Sequence, residues 1–191
     1  MHRFISFILL ILPVTIFALP ALQPFKSINI KKYMGTWHEI ALIPNEYQEG
    51  CTNTTVTYSL RSNGDIGMAT KCTKDGEVDT RTGKAWPQQS GDYSVWYTRY
   101  VWPFTGNYWI LYVDNKYQYA LAGTSSRNYL WFLSRTRSMP KAAYNKLLSI
   151  AKAQHYDVKK IIRIIQLSSC CTEMDLRHLP LFDTQGAAWR I

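Results

Sequence analysis

The stretch that decides the fold class is Thr54-Thr55-Val56-Thr57-Tyr58-Ser59-Leu60, then Arg61-Ser62-Asn63-Gly64, then Asp65 and Ile66-Gly67-Met68-Ala69-Thr70-Lys71-Cys72-Thr73. Two runs of β-branched, aromatic and other strand-forming residues flank an Asn-Gly pair. That dipeptide readily supplies the positive-φ residues needed to join two antiparallel strands. Outward from this hairpin the pattern repeats. Residues 37–44 precede it, and 78–86, 93–102, 108–113, 117–122 and 129–136 follow. Turns fall at Lys74-Asp75-Gly76, at residues 87–92 and at Asp114-Asn115-Lys116. About eight short strands spaced 8–12 residues apart read as an antiparallel meander, which removes its edges by closing into a barrel.

Residues flanking the Asn-Gly turn also bear on the cysteines, which number four: Cys51, Cys72, Cys170 and Cys171. Four allow three pairings. Adjacent Cys170 and Cys171 seldom close an unstrained bridge. Partners facing each other across this hairpin have residue numbers summing to about 125. Cys51 and Cys72 come close to that value, so a bridge between them is plausible. After the strands, Pro140 opens a helix over residues 141–155, since proline suits a first helical position. Ala143, Leu147, Ile150, Ala151 and Gln154 share one face of it. Residues 161–167 form a candidate ninth strand, and residues 168–191 carry mixed signals without a readable structure.

The N-terminus, MHRFISFILLILPVTIFALPA, has one charged residue, Arg3, an apolar centre and small residues at Ala18 and Ala21. This is the pattern of a secretory signal. Residues 1–18 are therefore expected to be removed, leaving a barrel domain with its helix at 19–167 and an extension at 168–191. An uncleaved anchor is the competing reading, but Pro13 and the lack of a following positive charge weigh against it. No Cys precedes Cys51, so acylation at a cleavage-site cysteine is not expected, and the product is expected in a periplasm or secreted.

Seven Trp, 13 Tyr and 7 Phe in 191 residues exclude a disordered chain. The net charge of +9, or +8 once Arg3 is removed, is scattered over Lys31-Lys32, Arg135, Arg137, Lys159-Lys160 and Arg163 and forms no single stripe. Nucleic acid is therefore not an expected partner. Attraction to anionic lipid surfaces is the more natural use of such charge in an exported protein, although general solubility accounts for it as well. The sequence contains no His-Glu-x-x-His, Cys-x-x-Cys, phosphate-binding glycine loop or Gly-x-Ser-x-Gly. Neither a metal nor a cofactor is expected.

Three segments have a common order and spacing: Tyr33-Met34-Gly35-Thr36-Trp37-His38-Glu39-Ile40-Ala41, Thr105-Gly106-Asn107-Tyr108-Trp109-Ile110-Leu111-Tyr112-Val113-Asp114 and Tyr129-Leu130-Trp131-Phe132-Leu133-Ser134-Arg135-Thr136. Together they resemble the lipocalin family. The third looks like the branch holding the bacterial lipocalins, the plant temperature-induced lipocalins and apolipoprotein D. The middle segment departs from the family, with Gly106-Asn107-Tyr108 where many members have Thr-Asp-Tyr. The resemblance implies an all-β fold, an eight-stranded antiparallel up-and-down barrel with one C-terminal helix packed outside. It also implies that Trp37 floors the closed end beneath Arg135 as a structural plug. By analogy with apolipoprotein D, Cys51 could instead pair with Cys170 or Cys171.

Side chains alternate across a strand. If Trp37 and Arg135 face inward, then Glu39, Ala41, Leu133, Trp131 and Tyr129 do too. The same parity suggests Val56, Tyr58, Val95, Tyr97, Tyr108, Ile110, Tyr112, Tyr119 and Leu121 as the remaining wall. An apolar wall with a few phenol groups suits a small hydrophobic ligand, such as a fatty acid or lysophospholipid. The expected function is non-enzymatic binding and transport or storage. The alternatives are a carrier of a siderophore or haem, marked by inward Lys or Arg near the open end, and a lipid-modifying barrel enzyme using Glu39. An inward Glu39 near Trp37 and Arg135 is expected to be an ion-pair partner instead.

Overall fold

The structure is a computed structural model and describes residues 19–167. The expected signal at 1–18 and the extension at 168–191, with Cys170 and Cys171, lie outside the described residues. A short helix α1 (Ile30–Tyr33) leads into strands β1 (Gly35–Leu42), β2 (Thr52–Leu60), β3 (Ile66–Lys74), β4 (Glu77–Gln89), β5 (Asp92–Arg99), β6 (Gly106–Val113), β7 (Tyr119–Gly123) and β8 (Leu130–Ser134). Helix α2 (Lys141–Ala153) and a two-residue strand β9 (Ile162–Arg163) follow. Each of β1 to β7 pairs antiparallel with the next, and β8 returns to β1. The meander thus closes into a barrel, the arrangement that removes sheet edges.

The Asn-Gly hairpin forms as the sequence predicts. Gly64 has φ +85°, and its N–H donates to the Arg61 carbonyl at 3.0 Å. Tyr58 pairs with Met68 and Val56 with Thr70. Cys51 is bonded to Cys72, tying the connection before β2 to β3. Several boundaries differ from expectation. Strand β4 runs through Pro87 to Gln89, and β5 ends at Arg99, leaving residues 100–102 in a loop. Pro140 is the cap before α2, with the helix beginning at Lys141.

Because the strands alternate in direction, the connections at 43–51, 75–76, 100–105 and 124–129 share one end of the barrel with Leu42. Helix α1 and Arg135 lie at the other end. β1 pairs with β2 only as far as His38↔Thr55, and the two strands then part. The C-terminal segment enters the gap. β9 pairs with Ala41 and Leu42, and the Ile164 N–H donates to the Ile40 carbonyl at 3.0 Å. The Gln166 Nε2 donates to the carbonyls of Glu39 at 3.0 Å and Thr54 at 3.2 Å. The amide side chain therefore satisfies carbonyls that the ladder has abandoned, which buried backbone requires.

Two apolar clusters result. One fills the barrel around Tyr33, Trp37, Tyr58, Met68, Trp96 and Tyr108. The other lies outside the wall, where Leu147 and Ala151 of α2 meet Ala41, Leu111, Leu121 and Phe132. Fully burying a side chain such as Leu147 contributes roughly 1.5–3 kcal/mol, so this second cluster holds the helix to the barrel.

Candidate functional site

The closed end is sealed by one side chain reaching across the barrel. The Arg135 guanidinium lies 3.7 Å from the Trp37 ring centroid. Its nitrogens donate to the carbonyls of Lys32, Tyr33, Met34 and Thr36 at 2.8–3.1 Å. These include carbonyls at the end of α1 that the helix cannot satisfy itself. The Trp37 Nε1 donates to the Tyr33 carbonyl at 2.9 Å. Gly35 is required beneath this lattice, because its φ is +93° and a Cβ there would lie 3.3 Å from the guanidinium.

Above this floor the interior is aromatic. Trp96 stacks on Tyr108 with centroids 4.9 Å apart, and Tyr58 meets Trp96 edge-on. The hydroxyls form a short chain. Tyr58 donates to Tyr108 at 2.9 Å, and Tyr33 and Tyr108 share a bond of the same length. Burial pushes all three phenols well above their ordinary range, so each stays a neutral donor and acceptor. These rings continue through the interior to Trp131, on which Tyr108 stacks with centroids 5.9 Å apart.

The open half differs in chemistry. Glu39 projects into the barrel and is only 4% exposed. The connection at 45–50 contains a single turn of tight helix, Glu46–Gln48, and folds over the mouth. Gln48 Nε2 donates to Glu39 Oε2, while Gln48 Oε1 accepts from the Trp131 indole at 2.9 Å. Tyr47 stacks on Tyr129, and Tyr129 on Trp131. The Glu39 carboxyl is pushed up to about 7 by burial, against the lowering effect of the Gln48 bond. Thr54 on β2 is fully buried, and its hydroxyl has no partner among the described residues. A void of about 20 Å³ under the lid touches Tyr47, Gln48, Thr54, Thr70, Asp79 and Arg81. It could hold about one water molecule but no acyl chain.

Of the residues expected to line the interior, Glu39, Val56, Tyr58, Tyr108, Ile110, Trp131 and Leu133 do so above Trp37, and Tyr129 sits at the mouth. Six do not. A bulge between Glu39 and Ala41 reverses the parity of β1, so Ala41 packs beneath α2. A second bulge, between Ile110 and Tyr112, turns Tyr112 outward against the helix-side cluster and returns Val113 to the interior. On β5 the inward residues are Ser94 and Trp96, leaving Val95 and Tyr97 on the outer face with Tyr97 41% exposed. On β7 the small Ala120 and Ala122 face the crowded interior, so Tyr119 and Leu121 face out, with Leu121 under α2. The expected ion pair between Glu39 and Arg135 is also absent, because they occupy opposite ends and Glu39 bonds to Gln48.

Sequence reasoning missed Gln48 and Thr54, along with Tyr33, Ile66, Met68, Trp96 and the two alanines of β7. The β3 pair was within reach. Facing residues of a hairpin share a face, so Tyr58 and Leu60 opposite Met68 and Ile66 imply it. Thr54 follows from Val56 by alternation.

Fold and site define a small closed barrel with a polar group buried at its covered mouth. A family model described as a lipocalin-like domain matches residues 28–166. The chain is 36% identical over 149 residues to temperature-induced lipocalin-1 of Arabidopsis thaliana, covering 73% of this chain and 80% of that protein. It is 33% identical to the outer membrane lipoprotein Blc of Citrobacter freundii, with the same coverages. It is 30% identical to apolipoprotein D of Macaca fascicularis, covering 71% and 76%. Among solved structures, lobster apocrustacyanin A1 superposes with a TM-score of 0.62 at 22% identity, covering 74% of this chain and 81% of that one. The chain belongs to the lipocalin family, whose barrels bind small hydrophobic ligands.

Proposed function

We propose that this lipocalin is an exported, non-enzymatic carrier of a single-chain lipid, a fatty acid or lysophospholipid. The reading is supported by an apolar inner wall of Ile110, Ala122, Leu133 and Trp131 beneath a lid that meets the barrel through Gln48 and through Tyr47 stacked on Tyr129. An acyl chain would enter as residues 45–50 lift, lying on the apolar wall with its head near Glu39. Glu39 bonds to an amide, which relays no proton, and this favours binding over catalysis. The siderophore or haem alternative calls for inward cations. Arg81 reaches the void under the lid, but Asp79 binds it at 3.1 Å, which leaves little net charge for an anionic chelate.

The loop at 100–105 bears on where such a ligand is exchanged. At the open end it presents Val101, Trp102 and Phe104, 65–78% exposed, beside Arg99. Aromatic side chains flanked by cations suit the interface of an anionic bilayer. Association with such a surface is part of this proposal.

The test is displacement of a fluorescent fatty acid by unlabelled single-chain lipids, with native mass spectrometry to count bound molecules. One ligand per chain is expected. Absence of any displaceable acyl binding tighter than about 1 mM, only about 4 kcal/mol of affinity, refutes the carrier.

A further inference from the structure

Gln48 does two opposite things within one amide. Its nitrogen donates to the buried Glu39 carboxyl, and its oxygen accepts from the Trp131 indole. The side chain belongs to a lid, so its departure would leave one acceptor and one donor unpaired at the barrel neck. An incoming head group must supply both functions or leave a buried polar group unmet, at a cost of about 1–3 kcal/mol. Thr54 adds a third polar group. It lies one step past the last β1–β2 pair, and its buried hydroxyl has no partner among the described residues.

We propose that Glu39, Trp131 and Thr54 form a head-group site for a single-chain lipid bearing a hydroxyl, with Gln48 as the tethered group that the hydroxyl replaces. This rests on the carrier reading and selects among its ligands. A hydroxyl donates to Glu39 and accepts from the Trp131 indole, as Gln48 does. A free carboxylate accepts only, and would set a second acid against Glu39. The cations near the barrel interior do not offset that. Arg135 is committed to carbonyls at the opposite end, and Arg81 is bonded to Asp79 at the rim. The favoured ligands are therefore alcohols and glycerol esters with a free hydroxyl, of which a lysophospholipid is one and a fatty acid is not.

The experiment displaces the neutral probe N-phenyl-1-naphthylamine from the full chain at pH 8 with dodecanol, methyl laurate and laurate. Dodecanol is expected to bind at least tenfold tighter than either. Glu39→Gln should bring laurate and dodecanol within about threefold of each other. Gln48→Ala, a change in an exposed loop that removes the internal competitor, should strengthen dodecanol severalfold. Laurate equal to dodecanol in the unaltered protein overturns the head-group assignment while leaving a carrier. Methyl laurate equal to dodecanol overturns the need for a donor, and hence the assignment. Failure of all three to displace the probe overturns the carrier reading itself.

Discussion

Replacing Arg135 with Ala tests the closed end, and its effect can be worked from the contacts. The substitution removes a guanidinium stacked 3.7 Å from the Trp37 ring centroid, an interaction of roughly 0.5–2 kcal/mol. It also strips the donor from the Tyr33 and Met34 carbonyls, which are partly buried. Leaving such acceptors unpaired costs about 1–3 kcal/mol, whereas the exposed carbonyls of Lys32 and Thr36 regain water. Together these amount to about 1.5–5 kcal/mol. For a domain of this size each kcal/mol lowers the thermal midpoint by about 2–4 °C, so a fall of about 3–20 °C is expected. Arg135→Lys should recover only part of the loss, because an ammonium cannot fork to four carbonyls while lying flat on an indole. Urea unfolding followed by near-ultraviolet circular dichroism, which reports the Trp37 environment, gives the free energy directly. A loss below about 1 kcal/mol for Arg135→Ala, with an unchanged denaturant slope, refutes this account of the closed end.

Two further outcomes concern the open end. The Glu39 carboxyl titrates at about 7 folded against 4.5 unfolded, so the folded protein binds this proton more tightly. Its contribution is fully present below about pH 4.5 and is lost as pH rises through 7. That displacement corresponds to about 3 kcal/mol. The stability of the unaltered protein relative to Glu39→Gln should therefore fall by that order between pH 4.5 and 8, and a parallel pair of pH profiles contradicts the burial of this acid. In the loop at 100–105, replacing Trp102 and Phe104 with Ala should cut binding to vesicles containing anionic lipid at least tenfold in co-sedimentation, with no effect on the thermal midpoint. Unchanged sedimentation removes this loop as the membrane contact.

Much of the fold was legible from local chemistry. The Asn63-Gly64 turn fixed one hairpin, its register brought Cys51 near Cys72, and the spacing of Leu147 and Ala151 marked the buried face of the helix. The interior was only partly legible, for identifiable reasons. Alternation carries inward parity along a strand only until a bulge, and those near Ile40 and Leu111 have no signature in residue type. On β5, Val95, Trp96 and Tyr97 are all suited to either face, so parity could not be read. On β7 the parity that places Tyr119 and Leu121 inward fails, because the helix outside the wall buries Leu121 and the crowded aromatic interior takes the small Ala120 and Ala122. Gln48 was invisible because it lies in a loop, and its role comes from a fold-over that brings residue 48 to residue 131. The gap closed by Gln166 is likewise a consequence of where β1 and β2 part.

A co-crystal structure with a monoacyl lipid carrying a free hydroxyl would show whether the barrel carries lipid behind the Gln48 lid. The acyl chain is expected inside the barrel against Ile110, Ala122 and Trp131, with its hydroxyl within hydrogen-bond distance of Glu39 and Gln48 displaced. A barrel still closed by Gln48, with the chain lying instead in the outer groove along Leu42, Pro44 and Ile162 to Ile165, would contradict it.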